Sequence, residues 1–236
     1  MQPTPAEIQK RYCIAFAKKQ FQEIVYNFSV QENLPFTFPE IQTLLEGITV
    51  GGRRLEEQDI VRSLKEAVEY VFSSVEAGTF QVSKVTAVKI NTLVARNEAL
   101  EVGAFRHSQV FISGTEYRPP AAEELDSLFE DLLARYQAGA EEREMLLFLT
   151  VARNQFFFDG NKRTGQLLMN GARLAAGLPW LSVPAKERQR FNETMLAFYE
   201  SDDPATMISF LKEIEAPLLE LVAESSRKYL EKQADR

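Results

Sequence analysis

The tripeptide Asp159-Gly160-Asn161 sits between two runs that read as helices, 141–154 and 162–176. Asp, Gly and Asn favour turns. A turn placed just before a helix exposes unpaired backbone N–H groups at the positive end of the helix dipole, which suits anions. Gly160 lets the backbone approach a ligand closely. Asp159 has the hard oxygen donors that Mg²⁺ takes when it is shared with phosphates. Lys162 and Arg163 add cations, and Arg offers a two-pronged contact to phosphate. The same residues also read as an ordinary helix cap followed by a solvated cation pair. No Walker loop or dinucleotide fingerprint accompanies them.

Most of the remaining chain has helical texture. Apolar residues recur at helix-like intervals over 6–28, 57–73, 83–95 and 123–136. Phe38-Pro39-Glu40 opens a short helix through Leu45, which Gly47 stops. The end, 213–232, reads as a solvated amphipathic helix or a helix running into a tail. The texture changes once. Ser108-Gln109-Val110-Phe111-Ile112, then Ser113-Gly114-Thr115, then Glu116-Tyr117 predict a small β-hairpin, which Pro119-Pro120 ends. The expected fold class is all-α with that one hairpin. The expected organisation is an N-terminal helical region over 1–80, a core domain over 81–215 and a C-terminal helix or tail over 216–236.

Composition narrows the function. The 236 residues carry a formal charge of −7, so general nucleic-acid binding, which needs a dense basic surface, is not expected. No apolar run approaches a membrane span, and no secretory signal core stands at the N-terminus, so a cytoplasmic protein is expected. The one cysteine, Cys13, excludes an intrachain disulfide, and the one histidine, His107, excludes a two-histidine metal site.

Phe157, Asp159, Gly160, Asn161, Lys162 and Arg163 fall in register with the pattern HxFx(D/E)GN(G/K)RxxR, and in this the chain resembles the Fic (Fido) family. Upstream, Gly103-Ala104-Phe105-Arg106, Val110-Phe111-Ile112-Ser113-Gly114 and Tyr117-Arg118-Pro119-Pro120 resemble that family's flap hairpin. The resemblance implies a Fic-fold helical domain that transfers AMP from ATP, or another nucleotide, to a hydroxyl of a protein target. It implies Mg²⁺ held by Asp159, and phosphates held by Gly160, Asn161, Lys162, Arg163 and residue 166. It implies a target peptide clamped along Ser108–Tyr117 by main-chain pairing. Gln42-Thr43-Leu44-Leu45-Glu46-Gly47 is similar to the inhibitory motif (S/T)xxxE(G/N), with Gln42 at its first position, and makes Glu46 the implied regulatory residue. An ordinary helix end explains the same residues.

Two departures bear on chemistry. Gln155 stands where the family has the histidine that acts as general base, and an amide cannot accept the hydroxyl proton near neutral pH. General-base assistance contributes about 10²–10⁴ in rate. Gln166 stands where the family has a second arginine, which contacts the γ-phosphate and pairs with the inhibitory glutamate. Two classes of function follow: a slow nucleotidyl-transferring enzyme, or a catalytically silent module that binds a nucleotide, a peptide or a partner.

Overall fold

The computed structural model describes the backbone of residues 4–234 and the side chains of residues 4–228. Among the described residues the fold has ten α-helices: α1 (Pro5–Lys19), α2 (Phe21–Gln31), α3 (Phe38–Leu45), α4 (Leu55–Glu76), α5 (Lys84–Ala95), α6 (Leu125–Gln137), α7 (Arg143–Asn154), α8 (Asn161–Ala175), α9 (Arg188–Ser201) and α10 (Ala205–Ala234). No helix among the described residues is long and apolar enough to cross a membrane.

Local chemistry explains several boundaries. Thr4 and Glu7 form a capping box at the start of α1, with Pro5 at the first helical position. Glu40 reaches back to the Thr37 N–H at 2.7 Å and starts α3 in the same way. The Ser83 hydroxyl accepts from the Thr86 N–H at 3.1 Å and opens α5. The run expected as one helix over 6–28 is broken at Gln20, so α1 and α2 are separate helices. Gln20 keeps φ −90°, ψ 7°, and neither Gly nor Pro marks the break.

The central helix is α8, which is buried along nearly its whole length. It packs most extensively on α7, and Gly165 makes the close approach possible: a Cβ there would lie 2.8 Å from the Phe148 carbonyl oxygen. One apolar cluster joins α1–α5 to α6, α7 and α8, with Trp180 against Phe72 at 5.3 Å between ring centroids. A second lies between α7, α8, α9 and α10 and includes Phe148, Phe191 and Phe210.

The expected hairpin does not form. Among the described residues there is no strand, and 107–121 run as an irregular segment with a turn at Ser113-Gly114. Its polar groups find local partners instead. The Tyr117 N–H donates to the Thr115 hydroxyl at 3.1 Å, and the Gln109 side chain donates to the Pro119 carbonyl at 3.0 Å. Pro119 and Pro120 have no N–H to give a ladder, and a two-stranded hairpin with Phe111 exposed has little apolar burial to stabilise it.

Candidate active site

The loop from Gln155 to Gly160 is built to be rigid. Gln155 ends α7 in the left-handed region at φ 49°, ψ 59°, and Gly160, at φ 73°, opens α8. Phe156 and Phe157 are buried and meet Phe105 at 5.0 and 5.2 Å, so the loop is pinned from beneath. Phe158 is only half-buried and packs edge-on against His107 at 5.2 Å. Asn161 ties the loop internally: its amide oxygen accepts from the Phe157 N–H at 2.9 Å, and its amide nitrogen donates to the Phe157 carbonyl at 2.8 Å. Arg106 is buried and ties the irregular segment to the same loop. Its N–H donates to the Phe156 carbonyl at 2.9 Å, and its guanidinium donates to the carbonyls of Gln155 and Pro120, each at 2.6 Å.

A cleft of about 470 Å³ opens over this loop. Gln155, Asp159, Gly160, Asn161, Lys162 and Arg163 line it from below. Phe111, Ile112 and Ser113 line it from the irregular segment, and Asn192, Met195, Leu196 and Tyr199 from α9. Of the flap residues named from sequence, the cleft lining therefore includes Phe111, Ile112 and Ser113. His107 is exposed, pairs with Glu101 at 3.0 Å and does not line the cleft.

Gln155 is held at both ends of its amide. Its nitrogen donates to the Ala152 carbonyl at 2.5 Å, and its oxygen accepts from Asn161 at 3.0 Å. The side chain thus closes the end of α7 and braces Asn161. Asp159 is exposed; one carboxylate oxygen accepts from the Gly160 N–H at 2.5 Å and lies 3.5 Å from Arg163. No group of three or more His, Cys, Asp or Glu among the described residues is placed to hold a metal. The exposed Asp159 carboxylate in the cleft fits Mg²⁺, which takes its other ligands from phosphate and water.

Arg163 is 2 % exposed and sits in a cage of acceptors. Its guanidinium donates to the Val94 carbonyl at 3.1 Å and to the Glu98 carboxylate, and lies 3.5 Å from both Glu32 and Asp159. Burial alone would lower its pKa, but Glu32 and Glu98 more than offset this and hold it above the ordinary arginine value. Burial in turn pushes the Glu98 carboxyl up, against the pull of Arg163.

Glu46 is exposed at the end of α3 and does not line the cleft. Gln166 is buried and donates to the Gln31 side chain at 2.9 Å. The structure therefore brings α2, and not α3, to the site: Gln31, Glu32 and Asn33 all line the cleft. Sequence reading missed these residues, and Glu98 as well. The available signal was Glu32-Asn33, which matches the last two positions of (S/T)xxxE(G/N), although Ser29 stands one residue too near. Nothing local marks Glu98, because its partner lies 65 positions away.

The Fic/DOC family model matches residues 81–172. The chain is 28 % identical over 199 residues to the protein adenylyltransferase Fic of Drosophila willistoni, covering 79 % of this chain and 39 % of that one. It is 28 % identical over 189 residues to the protein of the same name from Nematostella vectensis, covering 76 % and 43 %. The chain thus spans about two fifths of the length of these relatives. In fold it is similar to a Fic domain-containing signaling protein from Bacteroides thetaiotaomicron, with TM-score 0.71, 18 % identity, and 96 % and 92 % of the two chains covered. It is also similar to Fic-1 from C. elegans, with TM-score 0.67, 15 % identity and 98 % and 71 % coverage. Residues 81–172 thus match the Fic/DOC family model, and the chain has the fold of the solved Fic-domain proteins.

Proposed function

We propose that this chain binds a nucleotide over the Asp159–Arg163 turn and belongs to the protein adenylyltransferase class, with a slow transfer step. The observation that carries the reading is the position of that turn: it opens the buried helix α8 at the floor of a cleft that also holds Gln155. The N–H groups at the start of α8 would receive phosphate oxygens, and Asp159 would hold Mg²⁺. The metal would neutralise charge on the phosphates. Lys162 would supply a second cation from the protein. Gln155 would leave the acceptor hydroxyl without a base, because both ends of its amide are engaged and neither takes a proton near neutral pH. The irregular segment over 108–117 would meet the target. The test is pyrophosphate release from Mg²⁺-ATP together with intact-mass analysis of candidate targets. Slow release that Gln155→His accelerates supports the reading; absence of nucleotide binding removes it.

One observation favours a silent binding module as the second reading. Gln155 has a structural role, closing α7 and bracing Asn161, that does not require turnover. Tight nucleotide binding with no release in either form would select it.

A further inference from the structure

We propose that Glu98 is a specificity-determining residue of this cleft: it holds the Arg163 guanidinium inside the protein and so removes the gain that longer phosphate chains would otherwise bring. The proposal rests on the nucleotide reading above and asks which nucleotides the site prefers.

The argument starts from donors. A guanidinium has five N–H groups and no acceptor. In Arg163 they face Val94, Glu98, Glu32 and Asp159, and the side chain is 2 % exposed. Arg163 lines the cleft, but its hydrogen-bonding capacity is largely spent within the protein. Glu98 does not line the cleft; it engages Arg163 from the segment following α5, and its side chain is 23 % exposed. Charge points the same way. Lys162 and Arg163 bring two positive charges to this locus, while Glu32, Glu98 and Asp159 bring three negative ones. Each phosphoryl group added to a ligand brings further negative charge to a place already in negative excess. A site of that kind takes the first phosphate on the α8 N–H groups and gains little from the next. Replacing the Glu98 carboxylate by an amide removes one negative charge and releases a guanidinium face at nearly constant volume.

The experiment is calorimetry of AMP, ADP and ATP in EDTA, with the full chain and with Glu98→Gln, each checked for helical content. In the native chain ATP should bind within about threefold of AMP. In Glu98→Gln, ATP should tighten by about tenfold or more while AMP stays within about threefold, because the freed donor forms a charge-assisted bond only with the longer chain. Glu98→Asp, whose shorter carboxylate draws back from Arg163, should fall between them and serves if the amide variant does not fold. Native ATP binding about tenfold tighter than AMP, or an AMP-to-ATP ratio unmoved by both variants, would overturn the proposal while leaving the nucleotide reading standing. Failure of all three nucleotides to bind any form would remove both.

Discussion

The Glu32 carboxylate, at the end of α2, lies 3.5 Å from the guanidinium of Arg163, in the first turn of α8. The contact joins the N-terminal helices to the phosphate-site helix. It also places an acidic side chain in the cleft, where the resemblance had pointed to Glu46 on α3. Glu32→Gln should therefore change nucleotide affinity, and Glu46→Gly should not. A double-mutant cycle of Glu32→Gln with Arg163→Lys should show a coupling of about 0.5–3 kcal/mol, the range for groups in contact. Additive effects would mean that the two side chains act independently.

Arg163 should matter for the fold as well as for ligands. Arg163→Ala leaves Glu32, Glu98 and Asp159 without their shared cation. Removing one partner of a buried pair typically costs about 3–5 kcal/mol, so urea denaturation should show a loss of that order. An unchanged midpoint would show that the cage does not stabilise the protein.

Gln155→His should raise pyrophosphate release by about 10²-fold or more, the usual contribution of a general base. Histidine tolerates the left-handed backbone at this position better than most residues. Equal rates in the two forms would show that the missing imidazole is not limiting.

The helices and the phosphate turn were readable for physical reasons. α3 carries its own start and stop in Thr37, Pro39, Glu40 and Gly47, all local signals. The turn at 159–161 is equally local, and the structure places it at the cleft floor. What sequence did not carry was either non-local or a matter of competition. Glu32 and Glu98 reach Arg163 only through the packing of α2 and the end of α5 onto α8. The hairpin pattern over 108–117 was genuine, but local hydroxyl bonds, two prolines and an exposed Phe111 outweigh it. The break at Gln20 has neither Gly nor Pro to mark it.

The α7–α8 contact gives a separate check on the fold. Gly165→Ala would press a methyl group against the Phe148 backbone. Overpacking of this kind costs about 1–3 kcal/mol and should appear as a lower urea midpoint. No change would place α7 and α8 further apart.

Glu40 supplies a pH signature. Two bonds from Arg53, both 2.9 Å, and the Thr37 N–H hold its carboxyl down, to about 2. A depressed folded pKa means that the contribution is complete above the ordinary carboxylate value and is lost as pH falls toward 2. NMR titration should find that low midpoint, and Arg53→Ala should move it up toward 4.5. An unmoved midpoint would exclude the Arg53 pair as its main cause.

The most direct test of the account is an amide chemical-shift titration of the full chain with Mg²⁺-ATP. If the start of α8 is the phosphate site, the largest shifts fall on Gly160, Asn161, Lys162 and Arg163, with smaller ones at Glu32 and Ser113. Saturable binding that leaves those amides unmoved and shifts another surface would contradict it.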